Sequence, residues 1–202
     1  MSRLSFPILI SGFIGSGKST LAKHLAKTYH AKYISASEIH QKIVTERLKL
    51  DSETKKIKEG FWETRVGEKV TRLREQDMRI DRSVDQRLLR ELKKHPHSVT
   101  DARLMPWLYR GKGIRIWVSV SQKESACRVG ERDQSPMRKV FPQIRKRFHT
   151  DQKIFRKLYG IDMGKDFLPF DVVINTEGFT PRQTYQLVHA YIEAKIRHVR
   201  AQ

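Results

Sequence analysis

Near the start of this 202-residue chain, Gly12-Phe13-Ile14-Gly15-Ser16-Gly17-Lys18-Ser19 reads G-x-x-x-x-G-K-[ST] in full. Each position in that spacing has a chemical use. Glycines at 12, 15 and 17 open backbone torsions that let successive amides point inward at phosphate oxygens, and a following helix adds its positive end. Lys18 is placed to bridge the β and γ phosphates of ATP, and Ser19 offers a hydroxyl to Mg²⁺. Gly12, Gly15, Ser16, Gly17, Lys18, Ser19 and Thr20 together form the candidate nucleotide site.

Other residues suit the same chemistry. Transfer of a phosphoryl group rests on alignment and on positive charge around the equatorial oxygens, and arginine supplies that charge in a planar fork that stays protonated. Arg128, Arg132, Arg145 and Arg147 flank a predicted loop from Gln134 to Pro142. They read either as a lid that closes over nucleotide and excludes water, or as a solvated helix face. Asp101, at the end of a predicted strand, reads either as the carboxylate that holds magnesium with Ser19 or as a plain strand-end aspartate. The eight histidines show no H-E-x-x-H spacing, and the single Cys127 is given no role.

These residues need a frame. Residues 6 to 11, FPILIS, predict a short buried strand, and Lys18 to Tyr29 a helix with Leu21, Ala22, Leu25 and Ala26 on one face. Further strands are expected at 33–35, 98–100, 114–120 and 172–174. Ser37 reads as a helix cap and Arg82 to Lys94 as a helix. Gly60 and Gly67 read as breaks, and capping boxes stand at Ser121/Glu124 and at Thr180/Gln183. Strands alternating with helices predict an α/β fold in three layers, with a five-stranded parallel sheet covered by helices.

The length predicts one domain, residues 1–202, with a helical insertion at 36–97 and a lid at 128–150. The apolar run that starts at Phe6 is far too short for a membrane span, and no signal-peptide pattern follows, so a cytoplasmic protein is expected. Charge is the compositional outlier: 41 Lys+Arg against 22 Asp+Glu leave +19. Such a surface attracts polyanions, RNA included, although a basic face that merely holds water has the same composition.

The chain also resembles the nucleoside monophosphate kinases, and in particular the short cytidylate kinases of archaeal type. The resemblance lies in the phosphate loop and in Ile34-Ser35-Ala36-Ser37-Glu38-Ile39, Ile80-Asp81 with Val84-Asp85, and Asp101-Ala102-Arg103. It continues through Arg128, Arg132, Arg145-Lys146-Arg147, Tyr159-Gly160-Ile161-Asp162 and Val173-Ile174-Asn175-Thr176. It implies a P-loop kinase fold with an arginine-rich lid, and transfer from ATP with Mg²⁺ to a nucleoside monophosphate, CMP or dCMP. Ser35 and Ser37 would then line the acceptor pocket, Asp85 and Arg103 would contact the acceptor, and the four arginines would form the lid.

Two features depart from the family pattern. Gln41 stands where an arginine is expected for the acceptor phosphate, with Lys42, Arg47 and Arg65 as nearby replacements. The stretch from Glu46 to Arg79 is longer than usual and carries Phe61 and Trp62, which suit either core packing or stacking on a base. Trp107, Leu108 and Tyr109 are expected to pack in the core. An RNA 5′-end kinase and a nucleotide-gated RNA- or ribosome-binding ATPase remain as alternatives.

Overall fold

A computed structural model describes residues 5–48 and 65–200. In chain order the elements are β1 (Ile8–Gly12), α1 (Lys18–Thr28), β2 (Lys32–Ser35), α2 (Ala36–Leu48), α3 (Arg65–Gln76), α4 (Arg79–Lys94), β3 (Ser98–Asp101), α5 (Met105–Leu108), β4 (Ile114–Ser119), α6 (Gln122–Arg132), α7 (Met137–Tyr159), β5 (Val172–Asn175) and α8 (Pro181–Arg200). They fall into two compact units.

The first unit, Met1–Ser35 with Leu89–Val120 and Phe167–Gln202, holds the sheet. Its five strands run in the order β2-β3-β1-β4-β5, and every neighbouring pair is parallel. Both faces of β1 and β4 are covered, which is why these strands read as near-continuous apolar runs rather than alternating ones. On one face Ile8, Ile10, Ile116 and Val118 pack with Leu21 and Leu25 of α1 and with Val188 and Ile192 of α8. On the other, Trp117 is buried against Trp107, Phe167 and Phe170, all edge-on at centroid distances of 6.0, 5.5 and 5.5 Å. Trp107, Leu108 and Tyr109, expected in the core, are only half-buried, Trp107 packing against the buried Trp117 at the edge of the core.

The second unit, Ala36–Leu88 with Ser121–Asp166, is helical. Val44, Val70 and Ile80 form its small apolar cluster. Two residues ahead of α4, the Asp77 carboxylate accepts from the backbone N–H of Arg79 at 3.0 Å. Glycine in the left-handed region at Gly160 (φ 69) ends α7.

Several sequence expectations are corrected. Helix α2 begins at Ala36, directly after β2, so Ser37 lies in its first turn and is not a cap in a loop. Gly67 does not break the chain but sits inside α3, its carbonyl accepting from Thr71 Oγ1 at 3.0 Å. Helix α4 starts at Arg79, ahead of the predicted Arg82. The predicted loop from Gln134 to Pro142 is mostly helix: α7 starts at Met137, with Pro136 as its N-cap and Pro142 inside. Proline disturbs a helix by removing one N–H and crowding the carbonyl four residues earlier. At Pro142 that carbonyl belongs to exposed Arg138 in the first turn, so the helix tolerates it. Gly60, Phe61 and Trp62 lie outside the described residues, as do the side chains of Arg47 and Arg65.

Among the described residues no helix is long and apolar enough to cross a membrane.

Candidate functional site

In the first unit the chain leaves β1 at Gly12 and enters α1 at Lys18 through a turn whose glycines have left-handed torsions: φ is 153 at Gly12 and 86 at Gly17. A Cβ at Gly12 would stand 2.2 Å from the carbonyl oxygen of Val118 and 2.8 Å from Ser16 Oγ, so only glycine lets the loop lie this close to β4. Gly17 caps α1 without a side-chain bond, and the first turn carries no acidic residue, which leaves the helix N-terminus open to an anion. Ser16 Oγ is buried and has no hydrogen-bond partner among the described residues. Buried hydroxyls are normally paired, and this one, at the phosphate-loop turn, is left with hydrogen-bonding capacity to spare, as Ser98 Oγ and Thr100 Oγ1 are on β3. Lys18 Nζ folds back to the carbonyl of Phe13 at 3.4 Å. The residues present fit a nucleotide phosphate.

Neutral groups hold the loop from beneath. Thr176 Oγ1 donates to the carbonyls of Ser16 and Ser119, each at 3.1 Å, and so ties the loop to the end of β4. Phe13 stands edge-on to Trp117 at 5.2 Å. Ser11 Oγ donates to the carbonyl of Arg103 at 2.5 Å, fixing the segment that follows β3. Asp101 is the last residue of β3, buried, and receives the Tyr33 hydroxyl at 3.4 Å. Its carboxylate and the Ser19 hydroxyl are hard oxygen donors of the kind magnesium takes. Ser35 ends β2, in register with Asp101.

The second unit is built on buried charge. Arg74 of α3 makes a forked contact to Asp81 of α4, with Nη2 at 2.7 Å and Nε at 3.0 Å from Oδ1, and donates to Asp151 of α7 at 3.1 Å. Burial works against the Arg74 charge, but Asp81 and Asp151 outweigh it and hold the guanidinium above its ordinary value. One turn beyond Asp81, Asp85 accepts the Tyr159 hydroxyl at 2.8 Å. Burial pushes the Asp85 carboxyl from 3.8 up to about 7, against the Tyr159 hydrogen bond, with repulsion from Asp81 adding to the rise. Burial, with the Asp85 charge, likewise raises the Tyr159 hydroxyl. Asp85 can thus present either an O–H donor or an acceptor near neutral pH.

Helices α6 and α7 meet at a tight turn where Ser135 N donates to the carbonyl of Gly130 at 2.9 Å. A Cβ at Gly130 would lie 2.7 Å from the carbonyl oxygen of Ser135, so glycine permits this approach. Arg128 and Arg132, four residues apart, share one face of α6. Their guanidinium groups are held by Glu124 at 2.8 Å and Asp133 at 2.7 Å. Arg145 and Arg147 are not brought to a common face: two residues apart on α7, they point about 160° from each other, the first exposed and the second half-buried. Gln41 is buried in α2, and neighbouring Lys42 is exposed.

Residues 7–178 match the cytidylate kinase-like family. The chain belongs to this family. The cytidylate kinase of Sulfurisphaera tokodaii is 32% identical over 187 residues, 92% of this chain and 94% of that one. That of Pyrococcus horikoshii is 30% identical over 186 residues, 92% and 88% of the two chains. Among solved structures, a gluconokinase from Sinorhizobium meliloti superposes with a TM-score of 0.58 at 12% identity, covering 100% of both chains. A shikimate kinase from Bacteroides thetaiotaomicron gives 0.54 at 15% identity over 93% of this chain and 98% of that one. At such identities these structures speak for the fold alone. As a member of the cytidylate kinase-like family, with the fold of P-loop kinases, the protein is a phosphotransferase.

Sequence reasoning missed the Arg74–Asp81–Asp151 cluster, Tyr33 beside Asp101, and Phe13 and Thr176 as supports of the loop. Tyr159 and Thr176 lie in stretches that the family resemblance singles out, and the hydrogen bonds now give each a physical reason.

Proposed function

We propose that this protein transfers the γ-phosphoryl group of ATP to a nucleoside monophosphate, CMP or dCMP, giving the diphosphate and ADP. The observation that carries the proposal is a complete phosphate loop in a chain that aligns over nearly its whole length with archaeal cytidylate kinases. An oxygen of the acceptor phosphate attacks the γ phosphorus, the bond to the β–γ bridging oxygen breaks, and ADP leaves with that electron pair. The acceptor phosphate is already anionic at neutral pH, so no side-chain base is required.

The loop amides from Gly12 to Thr20 hold the donor phosphates, and Lys18 stabilises charge on the transferring group. Ser19 and Asp101 would hold magnesium, which when bound shares the phosphate charge. Arg128, Arg132, Arg145 and Arg147 would supply cations from the lid. Ser35, Ser37, Asp85 and Arg103 would bind the acceptor, with Asp85 switching between donor and acceptor to suit a base or sugar edge. A panel of ribo- and deoxyribonucleoside monophosphates with γ-labelled ATP tests this. Label should appear in CDP or dCDP, and ATP binding without transfer to any monophosphate would overturn the proposal.

A further inference from the structure

Helix α7 carries Arg138, Lys139, Lys146, Lys153, Arg156 and Lys157, all exposed and none needed for the lid proposed above. At 100° per residue these six side chains fall within an arc of about 100°, and from Arg138 to Lys157 they run about 28 Å along the helix. The opposite face, with Val140, Ile144, Ile154 and Phe155, is buried, so the cations are held together on the solvent side. The one acidic residue of α7, Asp151, is buried and bonded to Arg74. At the C-terminal end the strip widens into a cavity of about 460 Å³, lined by Lys153, Arg156 and Lys157 together with Gln152, Asp162 and Lys165.

Helix α4 also exposes cations, among them Arg90, Lys93 and Lys94, so the α7 strip is set apart by its narrow arc and by the cavity that its last three cations line. Helix α8, of similar length, intersperses exposed Arg182 and Arg197 with exposed Gln183, Gln186, Leu187 and Ala190, and pairs Lys195 with Asp171 at 3.2 Å. On α7, Lys153 has like charges three and four residues on, as Arg90 has on α4, an arrangement that costs stability on a helix.

We propose that the exposed face of α7 is a docking strip for the phosphate backbone of single-stranded RNA. A strip about 28 Å long is longer than a mononucleotide needs and follows a chain of phosphates. Its solvent face has cations without large apolar side chains, which fits a backbone rather than a membrane surface, where an apolar face would have to insert. The strip shares α7 with the lid arginines of the proposed function, and only its C-terminal part, Lys153, Arg156 and Lys157, lies beyond the lid.

The test is a salt titration of binding to a fluorescent oligouridylate longer than the strip. Three matched proteins are compared: wild type, Lys153→Gln/Arg156→Gln/Lys157→Gln on the strip, and Arg90→Gln/Lys93→Gln/Lys94→Gln on α4, which removes the same charge elsewhere. Each phosphate contact contributes about 0.7 to the log–log salt slope for single strands, so the strip variant should lose about 2 from that slope. The α4 variant should stay close to wild type. Unaltered melting of the strip variant would show that its fold is intact. Equal losses in both variants would mean attraction by net charge alone and would overturn the strip. So would a strip variant that binds like wild type, or a wild type that binds phosphatidylserine vesicles but not the oligouridylate at low salt.

Discussion

The phosphate loop and the buried cluster around Arg74 solve opposite problems with opposite means. The loop is made of backbone: glycine torsions at Gly12 and Gly17, a helix end, and neutral ties from Thr176 and the Phe13–Trp117 contact. The cluster is made of side chains: Arg74, Asp81, Asp85, Asp151 and Tyr159 come from α3, α4 and α7 and place buried charge under mutual control. A backbone cradle suits a ligand group that never varies, such as a donor phosphate. Side chains whose protonation is tuned by neighbours suit recognition of one partner among several. The contrast teaches where tolerance lies: the loop depends on shape, and the cluster on charge balance.

Breaking the cluster should have the largest effect. Arg74→Ala leaves Asp81 and Asp151 buried without their cation, and loss of one partner of such a network costs about 3–5 kcal/mol. Chemical denaturation at neutral pH should show that loss. Next comes Lys18→Ala, which keeps the fold but removes charge from the transferring group and should cut kcat by about 10²- to 10³-fold in the labelled-ATP assay. If Arg74→Ala were neutral, or Lys18→Ala fully active, the division between the two regions would collapse.

A smaller effect sharpens the comparison. The folded-state value of Asp85, about 7, lies above its ordinary 3.8. The native state therefore favours the protonated carboxyl, and the stability linked to it is complete below the ordinary value and lost as pH rises through about 7. Tyr159→Phe removes the hydrogen bond that lowers this value, so the loss should move to higher pH. Denaturation across that window, with Asp85→Asn as the variant in which the dependence vanishes, is the measurement. An unchanged profile in Tyr159→Phe would separate Asp85 from Tyr159.

The same contrast explains what could be read from the sequence. The loop is eight consecutive residues whose spacing states its chemistry, and the strand before it is a plain apolar run. The Thr180/Gln183 capping box forms in both directions, Gln183 Oε1 accepting from Thr180 N at 2.9 Å and Thr180 Oγ1 from Gln183 N at 3.2 Å, and Ser121 caps α6 with Oγ accepting from Glu124 N at 3.2 Å. These are local bonds, three residues apart. Arg74 and Asp151 are 77 apart and Asp85 and Tyr159 are 74 apart, separations at which no periodicity links two residues. Pro142 misled because a proline near a helix start looks in sequence like a break, and only the packing of Val140 and Ile144 shows the helix running through it.

The most direct test of the proposed division is a pair of steady-state measurements, varying ATP and CMP separately, on Thr176→Val and Asp85→Asn. Thr176→Val frees the carbonyl of Ser16 and should raise the KM for ATP several-fold while leaving that for CMP near wild type. Asp85→Asn should do the reverse. Equal changes in both constants for either variant, or the opposite assignment, would contradict the account.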